Sequence, residues 1–313
     1  MASGSTGATA GATAKKTGDQ LWKGTKKTAA KAAAGAANGL VVATVLHPYD
    51  AALYRAWMRQ RPFLHKAQWV NPWEGLSQTI VGRIYSNALW IPLYDMSLTT
   101  VYSNMGVGAW QSWVAGMGAG ALNSVLTHPL AAIKYQMWNS GHSFERTAKA
   151  MIGDGAQNFM RGSMATVKRD IIFGGVSAVT QHKLAKLIIM ANAPSSVDNV
   201  NPKHEVKPLV FGLGTVAGAL ASSPFNYERN RAFQTPLGRS PPGTMECFRT
   251  LWKEMQAAFL TKGVLGSWNH LSNQMRWGWG TMRVGLGMGI GAWVYHSLAE
   301  ATEKVLLATE EDT

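Results

Sequence analysis

The stretch SPFNYERNRAFQ, residues 223–234, decides the fold because it ends a long apolar run with an internal proline and a cluster of charges. No charged residue occurs from position 208 to 227, a run of 20 residues that is long enough for a helix to cross a bilayer. Pro224 lies near the end of this run, and Arg229 and Arg231 follow it closely. Since a proline inside a helix removes a hydrogen bond and bends the helix, the stretch predicts a kinked membrane helix that ends in cations.

Two further stretches repeat this arrangement, HPYDAALYR at residues 47–55 and HPLAAIKYQ at residues 128–136. When the three are aligned on Pro48, Pro129 and Pro224, the prolines lie 81 and 95 residues apart. Internal repetition at a nearly constant period determines the architecture of a chain. The sequence therefore predicts three repeats, each with one kinked helix.

Charge-free blocks supply the other membrane-length segments. Residues 96–133 contain no Asp, Glu, Lys or Arg over 38 positions, enough for two spans joined by a short turn. Glycines four apart, such as Gly116 and Gly120, allow helix backbones to approach closely inside a bilayer. The alternative, a soluble helical core, seldom combines so much glycine with charge-free runs of this length. We therefore expect a helical membrane protein, although the mean hydropathy of the whole chain is only −0.06.

The chain is strongly basic, with a formal net charge of +13, and its cations recur between the apolar blocks. Segments 55–75, 134–168 and 228–262 each carry a net charge of +3, as expected for loops on one side of a membrane. Nucleic-acid binding favours cations on one face interleaved with aromatic side chains, and this distribution differs from that pattern. The sequence predicts anionic lipids or anionic solutes as partners, and no nucleic acid.

Catalytic and metal-binding motifs do not occur in the sequence. There is one cysteine, Cys247, and no Gly-Lys-Ser/Thr phosphate loop, His-Glu-x-x-His pair or paired-cysteine site. The sequence therefore predicts a protein that is not an enzyme and that has no metal site.

The three repeats resemble the mitochondrial carrier family over roughly residues 25–305. In that family each repeat has two transmembrane helices and a short helix on the matrix side. Its signature, Pro-x-Asp/Glu-x-x-Lys/Arg, ends the first helix, and an aromatic-x-Gly element precedes the second. The resemblance implies an all-α membrane fold of six transmembrane helices in three pseudo-repeats, located in the mitochondrial inner membrane.

The same resemblance implies the division of the chain. The expected parts are a low-complexity N-terminal extension at 1–25, repeats at 26–105, 106–195 and 196–305, and an acidic tail at 306–313. The composition of the extension fits either a targeting segment or a flexible tail.

The resemblance also implies a gate at the matrix end, just past the helix kinks at Pro48, Pro129 and Pro224. In the family, charges at this level pair between neighbouring repeats. The matching gate positions that keep a polar side chain are Asp50, Lys134, Asn226 and Arg229. Because the other positions carry uncharged residues, Asp50–Lys134 is the one ion pair expected to survive.

Cationic residues on the second helices are the candidates for a substrate cavity. In the family, the contact position lies seven residues after the glycine of the aromatic-x-Gly element. That position is Arg169 in the second repeat, followed by Asp170, and Arg83 lies beside it in the first. In the third repeat Arg276 and Arg283 are both candidates, because an insertion of a turn or more is expected there. An Arg-Asp pair implies an amino-acid-like substrate in the family; the alternative is a local neutral pair at a helix end.

Glycines before the second helices are candidates for lipid contacts. Gly75, Gly162 and Gly263 are expected at helix N-termini, with Arg161 and Lys262 adjacent. Free backbone N–H groups at such positions bind phosphate, and in the family the bound lipid is cardiolipin. No other cofactor is implied. Only 27 residues separate the proline from the glycine in the first repeat, against 33 and 39 in the others, which predicts a truncated or absent first matrix helix.

Two functions are compatible with these features. The gates are eroded, since one ion pair is expected at the matrix end and one acid, Asp95, remains at the opposite end. This favours a carrier-derived accessory subunit of a larger membrane complex, such as a respiratory-chain assembly, with protein partners. The cavity residues favour the alternative, an active carrier of a small anionic or zwitterionic metabolite.

Overall fold

The chain folds into helices and their connections. The computed structural model describes residues 6–58, 62–140, 142–192, 208–236 and 239–311, and no strand occurs in these ranges. The helices are α1 (Thr6–Met58), α2 (Leu76–Met105), α3 (Ala109–Ser140), α4 (Phe144–Gly153), α5 (Ser163–Asn192), α6 (Pro208–Gln234), α7 (Thr244–Met275) and α8 (Trp279–Glu311). Short 3-10 helices lie at Lys66–Gln68 and Ala156–Met160. α1 begins inside the segment expected to be an extension.

Six of these helices form a closed ring. Each packs against its neighbours in the order α1, α2, α3, α5, α6, α8 and back to α1, while α4 packs on α3 and α7 on α6. The ring helices have at least 27 residues each, or about 40 Å, which exceeds the thickness of a bilayer core. The predicted all-α architecture of six long helices in three pairs is confirmed.

Two stretches of the described chain are long and apolar enough by themselves to cross a membrane. They are Thr28–Ala56, within α1, and Pro208–Gln234, which is α6. The other ring helices have the required length but carry polar residues that face the centre of the ring.

Glycine allows the two ring helices of each repeat to pack backbone to backbone. A Cβ atom at Gly39 of α1 would lie 2.5 Å from the carbonyl oxygen of Arg83, and one at Gly120 of α3 would lie 2.1 Å from that of Asp170. Both distances are too short for any side chain. The third pair is looser, since the corresponding approach from Gly212 of α6 is 3.1 Å.

The three prolines lie inside α1, α3 and α6, and the residue before each proline contacts the residue before the positive-φ glycine of the same repeat. The side chain before the proline bonds to the turn that begins the second helix: His47 Nε2 is 3.0 Å from Glu74 O, His128 Nε2 is 3.1 Å from Arg161 O, and Trp277 Nε1 donates to Ser223 Oγ at 2.8 Å. The pseudo-threefold repetition is therefore visible in side-chain bonding as well as in helix order.

The glycine that precedes the second helix of the third repeat differs from the predicted one. Gly75 and Gly162 adopt positive φ angles of 78° and 70° directly before α2 and α5, as predicted. The equivalent glycine in the third repeat is Gly278, with φ of 78°, because α8 begins at Trp279. Gly263 lies instead within α7, where its φ of 68° breaks the helix. The expected insertion of a turn or more is confirmed, and its residues form an additional helical arm at 264–275.

The two arms of α7 fold back on each other at Gly263, and we call residues 244–275 the α7 hairpin. Ser267 Oγ donates to Met255 O at 3.3 Å, although twelve residues along a straight helix would separate them by about 18 Å. His270 Nε2 similarly lies 3.1 Å from Glu254 Oε2.

The first repeat is shortened on the matrix side, whereas the third repeat is extended. Between α1 and α2, the described residues 62–75 contain only the 3-10 helix Lys66–Gln68. The second repeat has the amphipathic helix α4 at the corresponding place. The predicted truncation of the first matrix helix is confirmed.

Candidate functional site

A cavity of about 330 Å³ lies inside the six-helix ring, and it unites two sets of predicted residues. Its lining includes the five predicted for the substrate cavity, Arg83, Arg169, Asp170, Arg276 and Arg283, and the four predicted for the gate, Asp50, Lys134, Asn226 and Arg229. The gate residues come from α1, α3 and α6 shortly after the prolines, so the kinked segments converge at one end of the ring. We call this end the proline end.

The lining is strongly cationic. It contains six basic side chains, Arg83, Lys134, Arg169, Arg229, Arg276 and Arg283, and two carboxylates, Asp50 and Asp170. Six positive and two negative charges leave a formal net charge of +4 on the lining. Such an excess of positive charge within one cavity is unfavourable unless anions compensate it.

Asp50 is the centre of an ion network that joins the first and third repeats. Its two carboxylate oxygens accept hydrogen bonds from Nε and Nη2 of Arg283 on α8, whose side chain is buried. Arg83 Nη2 on α2 lies 3.8 Å from the same carboxylate. Lys134, the partner implied by the family pattern, also lines the cavity. The planar fork of Arg283 matches a carboxylate better than an ammonium does.

Arg229 connects the second and third repeats without an acid. Its Nη2 donates to Asn226 Oδ1 at 2.7 Å on the same helix and to Tyr135 Oη at 3.1 Å on α3. The guanidinium also lies 5.4 Å from the ring centre of Tyr135 and 5.9 Å from that of Phe233. The gate pattern of the family places an acid opposite this cation, and Ala131 occupies that position here. Aromatic rings therefore stabilise the guanidinium of Arg229 where the acid is missing.

Arg169 and Asp170 form the local pair that was the alternative to amino-acid recognition. Arg169 Nε donates to Asp170 Oδ1 at 2.6 Å. Both residues line the cavity, so the pair faces the site, but the carboxylate is already engaged by its neighbour. A substrate ammonium would have to compete with this guanidinium.

The residues predicted for lipid binding are not placed equivalently. The Arg161 guanidinium is buried and donates to carbonyl oxygens of the segment after α6, those of Thr235 at 2.6 Å, Pro236 at 2.8 Å and Arg239 at 2.8 Å. Arg161 therefore holds this segment in place, which differs from the expected contact with a lipid phosphate. Lys262 is exposed, but it lies with Gly263 at the turn of the α7 hairpin and not before a ring helix.

At the end of the ring opposite the prolines, polar contacts occur within the first two repeats and also between them. Lys31 Nζ on α1 lies 2.6 Å from Asp95 Oδ2 on α2. Ser112 Oγ on α3 lies 3.2 Å from His182 Nδ1 on α5. These two contacts stabilise individual helix pairs. Tyr102 Oη on α2 lies 2.7 Å from the same Ser112 Oγ and joins the first repeat to the second.

Sequence reasoning missed the neutral part of the lining. Tyr54, Asn87, Trp90, Asn123 and Tyr135 all contribute to it. Asparagines within otherwise charge-free helices are a usable signal, since a polar amide facing lipid would be costly. Nothing in the sequence distinguishes a cavity-lining tryptophan such as Trp90 from one at a membrane interface.

Comparison with known proteins gives one family match. Residues 106–192 match the family model described as mitochondrial carrier protein. This segment contains α3, α4 and α5, which are one pair of ring helices and the surface helix between them. A comparison with curated proteins finds no match for the chain.

Proposed function

We propose, because the chain belongs to the mitochondrial carrier family, that it transports a small metabolite with two or more negative charges across the mitochondrial inner membrane. Members of this family are transporters rather than enzymes. The observation that supports an anionic substrate is the formal charge of +4 on the cavity lining, from six basic and two acidic side chains.

The acids of the cavity are already engaged, which argues against a zwitterionic substrate. Asp50 binds Arg283 with both oxygens, and Asp170 binds Arg169. A substrate ammonium would therefore have to displace a guanidinium. An anion would instead add negative charge where cations are in excess, and bidentate contacts with arginine are among the strongest charged hydrogen bonds.

The size of the cavity supports a small metabolite. Its volume of about 330 Å³ is at the lower end of the range of about 300–1,000 Å³ that is typical of ligand sites. Tyr54, Trp90 and Phe173 supply flat apolar surface beside the cations. A compact polycarboxylate or a phosphate ester fits both the charge and the volume.

A second candidate function is that of an accessory subunit in a larger membrane complex, with transport lost. It is favoured by the gate positions at the end of the ring opposite the prolines, where Asp95 is the one acid that remains and its ion pair with Lys31 lies within one repeat. A transporter alternates between two closed arrangements, and an ion pair within one repeat does not hold neighbouring repeats together. In either role we propose cardiolipin as a bound lipid, with Gly75 and Gly162 offering backbone N–H groups at the starts of α2 and α5.

Transport assays in liposomes separate the two functions. The full chain is reconstituted, and uptake of labelled di- and tricarboxylates, phosphate esters and amino acids is measured. We expect uptake of a polyanion that falls about tenfold or more in Arg83→Gln, because a hydrogen bond from a charged group contributes about 1.5–3 kcal/mol. Arg249→Gln, which removes an exposed arginine on α7 away from the cavity, is the matched control and should transport normally.

Each alternative has its own result. Uptake restricted to zwitterions or cations would contradict the polyanion proposal. If no compound of the panel is taken up, and the protein purifies with other subunits in fixed stoichiometry, the accessory function replaces it.

A further inference from the structure

The turn of the α7 hairpin carries a group of exposed apolar side chains that the transport proposal does not use. The exposed fractions are 52% for Phe259, 83% for Leu260, 72% for Val264, 76% for Leu265 and 56% for Trp268. They flank Gly263, where the chain reverses. We call these five residues the apolar tip.

The base of the hairpin is fixed against the end of a membrane helix. Tyr227 of α6 packs with Cys247, Leu251 and Met275 of the two arms in a buried cluster. Arg231, near the end of α6, donates to Glu254 at 2.5 Å. The rigid base means that the position of the tip is set by α6 rather than by a flexible connection.

The distance from this base to the tip is short. Leu260 lies six residues beyond Glu254 along a helical arm, which corresponds to about 9 Å. α6 is one of the two stretches that are apolar enough to cross a membrane by themselves, and Arg231 lies within its last turn. The tip is therefore within reach of the headgroup region that surrounds the end of α6.

The charge of the tip matches an anionic surface. Residues 255–275 contain no Asp or Glu and one Lys, Lys262, which is exposed between the apolar side chains. Tryptophan and lysine beside leucine are typical of segments that lie in a membrane interface, where the lysine contacts lipid phosphate and the apolar side chains enter the acyl region. A protein partner would require complementary polar contacts, and the apolar tip offers few polar groups for such contacts.

We infer that the apolar tip of the α7 hairpin inserts into the surface of the membrane next to the proline end of the ring, with Lys262 bound to anionic lipid headgroups. The insertion in the third repeat then acts as a membrane anchor beside the bundle. This inference is independent of transport, since none of the tip residues lines the cavity.

Site-specific fluorescence tests the inference on the full chain in vesicles. An environment-sensitive dye is attached through Leu260→Cys at the tip or Lys253→Cys, an exposed position nearer the base that serves as the control. Cys247 is buried and burial raises the pKa of its thiol, so labelling at pH 7 selects the introduced thiol. Vesicles contain phosphatidylcholine with or without phosphatidylglycerol, and quenchers are doxyl-labelled lipid or aqueous iodide.

The expected result is quenching by doxyl lipid at least about twofold stronger at Leu260→Cys than at Lys253→Cys, with protection from iodide. The lipid quenching should increase when phosphatidylglycerol is present, and Lys262→Gln should reduce that increase. Strong iodide quenching at Leu260→Cys would overturn the inference, because the tip would lie in water. Protection from both quenchers would also overturn it and would indicate a protein contact instead.

Discussion

Replacing Asp50 by asparagine should destabilise the protein substantially, because it leaves two arginines without their carboxylate. Arg283 is 8% exposed and Arg83 is 35% exposed, so the first of these cations is nearly removed from water. Removal of one partner of a buried ion pair costs about 3–5 kcal/mol. The cavity admits some solvent, which favours the lower end, and we expect a loss of about 3 kcal/mol for Asp50→Asn.

The same geometry predicts strong coupling between the two partners. In Asp50→Asn/Arg283→Gln both charges of the closest pair are absent, and the double variant should recover part of the loss. The expected coupling energy is about 2 kcal/mol, within the range measured for contacting charged residues. The corresponding cycle of Asp50 with Lys134→Gln should give a smaller value, since Arg283 engages both oxygens of the carboxylate.

Thermal unfolding in detergent, followed by the fluorescence of the 13 tryptophans, provides the measurement. A loss of 3 kcal/mol corresponds to a decrease in Tm of about 6 °C for a chain of this size. If the effects of Asp50→Asn and Arg283→Gln are additive within about 0.5 kcal/mol, the two side chains do not interact as described. Coupling that is larger with Lys134 than with Arg283 would restore the pairing implied by the family pattern.

Two further predictions concern the backbone contacts. Gly120→Ala should lower Tm, because its Cβ would lie 2.1 Å from Asp170 O, at an overpacking cost of about 1–3 kcal/mol. Gly118→Ala is the control and should leave Tm unchanged, since the nearest atom to its Cβ would be 3.8 Å away. Equal effects of the two substitutions would contradict the packing. Arg161→Gln should accelerate tryptic cleavage after Arg239 about tenfold, since charged hydrogen bonds to the segment after α6 are lost. An unchanged cleavage rate would show that other contacts hold this segment.

The repeat positions were predictable from the sequence because they depend on local backbone chemistry. Prolines within apolar runs, and glycines before helices, have few alternatives at those positions. The exact start of α8 was not predictable from Gly263, since a glycine with positive φ serves equally well inside a hairpin and before a helix. Trp277 precedes Gly278 directly, whereas the family element places its aromatic residue two positions before the glycine, so the element does not identify Gly278.

The charge partners were less predictable because they depend on which side chains meet across the ring. The family pattern pairs Asp50 with Lys134, both near the kinks, and sequence spacing gives no reason to prefer another partner. Three-dimensional convergence of α1, α2 and α8 also brings Arg283 and Arg83 to the carboxylate. Arg83, Arg169, Asp170 and Arg283 lie on ring helices and line the cavity, whereas Arg276 lies in the turn between α7 and α8.

The backbone features of the repeats are retained in all three copies, whereas the charges of the gate are not. The structure explains how the gate charges can be lost while the backbone features are kept. The contact before each proline and the positive-φ glycine lie within a helix pair and do not involve the charged gate side chains. Contacts between helix pairs can be made by more than one combination of side chains. Asp50 with Arg283 joins the first and third repeats through charge, and Arg229 with Tyr135 joins the second and third through a hydrogen bond and an aromatic face. Substitution at the gate therefore changes the strength of closure without altering the ring that surrounds the cationic cavity.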